Sequence, residues 1–276
     1  YELVKPDVFQ AMVDAATREQ LPIAAHVPLS MRADTAGPLV DSMEHLRNIE
    51  IACADNADEL HALRTNTLNR PGSRSGHEVR GHLHSSQRPL ALETANPRSD
   101  RCQRVIQTLT DTIQVPTLRL NTITRYSPTL RNDWLIQLER LPKDLAKDWR
   151  ESADYWAAKP SALGYLMSDW SLELVAAMLQ QGVPIGAGTD TPIAHAIPGY
   201  SLHTELERLV DAGLTPQQAL LAATIRPAEF FKLSGSMGQI RAGMEADLVL
   251  LRKNPLVDIR HSRSIEAVIS NGIRVR

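Results

Sequence analysis

Apolar and polar positions along this chain switch between two periods. After Pro6 and Asp7, both good helix-start residues, "PDVFQAMVDAATREQ" repeats apolar side chains at Val8, Met12 and Ala15, the spacing of a helix. The short apolar run "LPIAAHV" follows at once, so a helix feeds a strand, the unit of an α/β fold. "SMEHL" reads as a second strand end. Residues 55 to 111 are mostly helical and polar in pattern, interrupted by the turn-rich "NRPGSRSG". "TIQVPTLRLN" alternates β-branched and apolar residues as a third strand. Residues 127 to 182 hold all four tryptophans and end in "SDWSLELVAAMLQQG", where Ser168 or Asp169 can cap a helix and Gly182 can terminate it. "GVPIGAGTDTPIAH" is then a fourth strand that delivers Asp190 at its carboxyl end, and "SLHTELERLVDAG" and "TPQQALLAAT" return to helical spacing. Beyond Gly235 the pattern becomes short strands joined by turns in "GQIRAGMEADLVLLRKNPLVDI" and "SIEAVISNGIRVR", with Asn271-Gly272 a two-residue hairpin signal.

Composition narrows this picture only a little. The 276 residues are enough for a large core, and 43% apolar with 22% charged residues is ordinary for a globular chain. Thirty basic residues against 32 acidic ones leave a formal charge of −2, which points to neither nucleic acid nor an anionic membrane as partner. No run nears the roughly 18 apolar residues of a membrane span. Cys53 and Cys102 are far apart and form no CxxC pattern, so neither a disulfide framework nor a thiolate zinc site is expected. The chain begins at a tyrosine, so the compartment stays open between the cytoplasm and export after loss of a signal segment.

Three polar residues stand at carboxyl ends of the expected parallel strands: His26, His45 and Asp190. In parallel α/β barrels side chains from several strands converge at that face. Two imidazoles and a carboxylate suit a borderline divalent ion such as zinc with a position left for water. Taken singly, each has a plainer reading: a strand-end histidine is more often a hydrogen-bonded structural residue, and Asp190 serves equally well as an Asx turn or helix cap. "GHLHS" presents His82 and His84 as an HxH pair, but on a helix positions two apart face different sides, so with His77 they are read as a solvated face. His203 reads as a support to the site or as helix surface. His195, on the loop past Asp190, reads as a substrate contact or a plain loop residue.

Together these residues resemble one family. "GVPIGAGTD", "LHTELERLVDAGLTPQQALLAATIRPAEFF", "MGQIRAGMEADLVLLRKNPLVDI" and "AVISNGIRV" are similar to the carboxyl-terminal half of metal-dependent amidohydrolases, nearest the imidazolonepropionase-like and prolidase-like branch. "LPIAAHVPLS", "SMEHL" and "QVPTL" match that branch in order. The resemblance implies a (β/α)8 TIM barrel, with strands five to eight in residues 1–235, helical insertions at about 55–111 and 127–170, and strands of a small β-sandwich domain in 236–276. It implies that His26 and His45 bind a divalent metal, most often zinc, as one or two ions. Asp190 would bind metal and act as general base in hydrolysing a C–N bond of a small amide, dipeptide-like or cyclic substrate. A deaminase on the same scaffold is the nearest alternative, although "HVPLS" lacks the acidic residue expected after the strand-five histidine. A non-catalytic barrel serving as a binding module is another. Self-association as a homo-oligomer is left open.

The chain departs from the family pattern at its start. A strand-one HxH pair and a strand-four carboxylated lysine that bridges two metals are absent, and the alignment puts the lysine upstream of Tyr1. Four strands cannot close a barrel and would leave open edges. The expectation is therefore a segment of a longer polypeptide.

Overall fold

Proline at the first helical position costs no hydrogen bond, because that N–H has no partner in a helix anyway. Helix α1 (Pro6–Arg18) accordingly begins at Pro6. The computed structural model describes residues 2–276, and the chain divides into two units. One comprises the residues up to Val115 with Ala176–Ile185; the other comprises Pro116–Val175 and Gly186–Arg276.

In the first unit, α1 buries Phe9 and Val13, whereas Val8 and Met12 remain about half exposed. The inward stripe therefore lies one position further along than the sequence pattern suggested. Strands β1 (Ala24–Ala25), β2 (Ser42–Glu44) and β3 (Ile113–Val115) form a parallel sheet in that order, with Ala24 opposite Ser42 and Met43 opposite Gln114. Gln114 also bridges Ile185 in parallel, so four successive strand positions run side by side in chain order. This is the arrangement expected of consecutive barrel strands.

Between them lie α2 (Ala33–Ala36), α3 (Ile49–Cys53), α4 (Ala57–Asn69), α5 (Gly76–Leu92) and α6 (Asp100–Gln107). The break between α4 and α5 falls at the Pro/Gly/Ser-rich turn, and Ser75 with Glu78 closes a capping box at the start of α5. Cys53, ending α3, and Cys102, on α6, are both fully buried and joined in a disulfide. That corrects the expectation drawn from their separation: 49 residues apart in sequence, they meet because two helices pack together, which spacing alone does not disclose.

The second unit contains α7 (Leu118–Asn121), α8 (Asn132–Leu138), α9 (Lys143–Ala157), most of α10 (Ala162–Gln180), α11 (Tyr200–Asp211) and α12 (Pro216–Phe230). Helix α10 starts earlier than expected. Ser161 Oγ accepts the Gly164 N–H at 2.9 Å, so the cap is Ser161, while Ser168 lies inside the helix and donates to the Gly164 carbonyl. Gly182, at φ +77°, stops it as expected. Helices α8 and α9 close around Trp134, Leu138, Ala153 and Ile197, with Trp149 and Tyr200 against them.

After α12 comes an antiparallel sheet of β4 (Leu248–Leu251), β5 (Ile265–Ser270) and β6 (Ile273–Arg274). Asn271 and Gly272, both at positive φ, make the two-residue hairpin turn. The stretch before β4 forms no strand, and Ile240 is almost wholly exposed. No helix among the described residues is long and apolar enough to cross a membrane.

Candidate active site

His26 and His45 follow β1 and β2 directly, and two adjacent parallel strands set neighbouring loops side by side. Their rings stand 4.8 Å apart, centroid to centroid, edge to face. The His45 amide donates to the Val115 carbonyl at 2.8 Å, tying its loop to the end of β3. Asn48 sits on left-handed backbone and donates from its buried amide to the Val27 carbonyl at 2.9 Å, which joins the two histidine-bearing loops. His45 itself has φ +62°, a strained conformation for a residue with a Cβ.

A buried carboxylate underlies the pair. Glu2 is fully enclosed, and its carboxylate meets His26 Nδ1 at 3.4 Å, His84 Nε2 at 3.0 Å, Arg47 Nε at 3.8 Å and the Arg80 guanidinium. Burial alone would raise its pKa, but hydrogen bonding from His26 and His84 and the Arg80 charge outweigh that and hold it far below the usual range. Arg88 donates to His84 Nδ1 at 3.1 Å, so His84 carries its proton on Nε2 and donates it to Glu2. Arg88 also binds Glu50, buried below, at 3.0 Å.

The HxH reading thus needs division. His82 and His77 face solvent, as expected, whereas His84 turns inward to Glu2, on the opposite side of α5. Glu2, Asn48, Arg47 and Arg80 were not singled out in the sequence. Their only local signal is charge at Glu2, Arg47 and Arg80 and a polar amide at Asn48, in otherwise unremarkable segments.

Asp190 belongs to the second unit, where φ is +50° at Asp190, +49° at Ala194 and +61° at His195. Arg119, almost buried, donates Nη1 to the carbonyls of Thr189 and Ile193 and Nη2 to that of Ala194, each at 2.8 Å. Glu205, fully buried on α11, accepts the amides of Leu118 at 2.9 Å and Arg119 at 2.7 Å. Burial pushes its carboxyl up to about 7, and those two amides only partly offset this.

His195 packs edge-on against Trp149 at 5.9 Å, and its carbonyl accepts from Trp134 Nε1 at 3.2 Å. Burial and the nearby Arg119 charge lower its pKa. His203 meets Ser262 at 2.9 Å; burial and the Arg263 charge bring its pKa down to about 4, so it is neither helix surface nor a cation at neutral pH.

The metal reading can be tested against this donor set. A carboxylate beside Nδ1 is the arrangement that orients a metal-binding histidine, and the His45 ring lies next to that of His26. Among the described residues, however, no group of three or more His, Cys, Asp or Glu is disposed to hold one. His26 and His45 fit as part of a ligand set, and this chain's described residues do not complete it.

A family model described as the amidohydrolase family matches residues 168–275. Ochratoxinase from Aspergillus niger is 36% identical over 104 residues, covering 37% of this chain and 21% of that protein. Among solved structures, bottromycin amidohydrolase superposes with a TM-score of 0.67 at 21% identity, over 100% of this chain and 54% of its own. The A. niger ochratoxinase structure gives 0.58 at 20%, over 99% and 46%, and a Xaa-Pro dipeptidase with bound methionine gives 0.57 at 19%, over 99% and 49%. The chain spans about half the length of these structures. Residues 168–275 thus match the amidohydrolase family, and the whole chain shares its fold with bottromycin amidohydrolase, the ochratoxinase and the Xaa-Pro dipeptidase.

Proposed function

We propose that this chain supplies one half of a metal-dependent hydrolase of C–N bonds in small amides or dipeptides. The observation that carries the reading is the imidazole pair at the ends of two adjacent parallel strands, with His26 oriented by a buried carboxylate. The amidohydrolase match and the amide-hydrolase and dipeptidase neighbours support it. In this reading His26 and His45 contribute two ligands to a divalent ion, zinc by its preference for imidazole, in a set they do not complete by themselves, and Asp190 is read as a ligand of a second ion. A divalent ion held there would acidify water and polarise the scissile carbonyl. Asp190 takes the proton of the attacking water and returns it to the leaving amine, the work of a carboxylate general base. Glu2 keeps His26 in one tautomer and orientation. His195, packed against Trp149 with its carbonyl held by Trp134, is read as a substrate contact.

The test is metal content and turnover of the full-length protein on a dipeptide panel. Bound metal should fall in His26→Ala and His45→Ala and stay unchanged in His82→Ala. Asp190→Asn should fold, keep its shape and lose roughly 10² to 10⁴ in turnover. A metal-loaded Asp190→Asn protein with near-normal turnover sinks the assignment, and a metal-loaded wild type that cleaves no amide sinks the reaction class.

A further inference from the structure

The turn that carries Asp190 is held in a conformation its own residues disfavour. Within six positions Asp190, Ala194 and His195 lie at φ +50°, +49° and +61°. Left-handed backbone is disfavoured for residues that carry a Cβ, so three in one turn persist where the surroundings hold them. Glycine, which adopts such backbone without steric cost, is absent from residues 189 to 195, although Pro192 and the Ile193 amide on the Asp190 carbonyl supply local restraint.

A further restraint comes from Arg119, 70 to 75 residues earlier in the chain. Its planar fork donates to the Thr189 carbonyl before the turn and to those of Ile193 and Ala194 at the far side, clamping both limbs at 2.8 Å. Its charge also acts with those of Asp190 and Glu205. Glu205 accepts the Arg119 amide itself, so the root of the fork is fixed as well as its tip. The space left among Arg119, Trp134, Ala194 and His195 is about 30 Å³, room for about one water.

We propose that Arg119 is a positioning residue for Asp190, with Glu205 as its anchor: the guanidinium holds the strained turn in the one conformation that aims the carboxylate. This rests on the reading of Asp190 as general base. Misplacement of a reacting group by about 1 Å costs on the order of 10²-fold. Lysine keeps the charge but offers no planar fork, so it cannot span both limbs of the turn.

The experiment compares Arg119→Lys, Glu205→Gln and Asp190→Asn in the full-length protein, by hydrogen exchange and by kinetics on the fastest-cleaved dipeptide of the panel. Arg119→Lys should speed amide exchange across residues 189 to 196 with α11 still protected, and lower kcat roughly 10²-fold while KM moves far less. Glu205→Gln should give the same local pattern to a smaller degree. If Arg119→Lys fails to fold, the Glu205→Gln exchange pattern decides. Unchanged exchange over 189 to 196, or a loss confined to KM, overturns the proposal. If Asp190→Asn retains turnover, or no dipeptide is cleaved, the general-base reading falls, and exchange alone then decides whether Arg119 holds the turn.

Discussion

The two units restrain their chemical side chains by opposite means. Both place one on left-handed backbone, His45 in the first and Asp190 in the second. The first unit fixes its imidazoles from the side-chain end, through the buried Glu2 carboxylate and the cations around it, and staples two of its helices with a disulfide. The second fixes its carboxylate from the backbone end, through a guanidinium that grips carbonyls of the turn. The difference follows from chemistry. An imidazole needs its tautomer and ring orientation set, which a carboxylate on one nitrogen does.

Reduction should separate the units most strongly. The chain-entropy estimate for a 49-residue separation is about 4 kcal/mol, so Cys53→Ser with Cys102→Ser should destabilise the first unit by about that much in denaturant titration. Exchange protection in α11 should be unaffected; equal losses in both units would break the contrast. Next, Glu2→Ala takes the buried carboxylate away from the half-buried Arg80 guanidinium and from His84, and should cost roughly 1.5 to 3 kcal/mol.

The pH dependence should have opposite signs in the two units. Glu2 is depressed in the folded state, so its contribution is present above the unfolded value near 4.5 and is lost as pH falls below it. Glu205 is raised from 4.5 to about 7, so its contribution is whole below pH 4.5 and is lost as pH rises to 7, by about 3 kcal/mol. Exchange measured between pH 4 and 8 should show the second unit loosening with rising pH, and Glu205→Gln should remove that slope. The smallest effect is expected for Ala194→Gly. At φ +49° glycine relieves strain, and stability should rise by about 0.5 to 1 kcal/mol in thermal melts.

Much of the first unit was legible because its signals are local. A helix running into an apolar run, with a histidine after the run, locates β1 and His26 within a few residues, and the Asn271-Gly272 turn declares its own hairpin. What could not be read depends on pairing across the chain. Cys102 gives no hint of Cys53, nor Glu205 of the Arg119 amide 86 residues before it. Ser168 read as a cap because capping residues are recognised by type, and only the helix's true start shows that Ser161 takes the role. His84 read as surface because polar helices usually are; the carboxylate that draws it inward lies 82 residues away.

The contact between Glu205 and the Leu118 and Arg119 amides also bears on the order in which the molecule assembles. Pairings across long stretches of chain form late, since loop-closure entropy must be overcome before they contribute. Arg119 is synthesised well before the turn it grips, and its anchor is synthesised after that turn. The sheet end that carries both histidines can close on Ile185 before α11 exists. A nascent chain should therefore acquire its imidazole pair first and gain a fixed Asp190 turn only once α11 has docked, so that the two never coexist in a form that lacks α11.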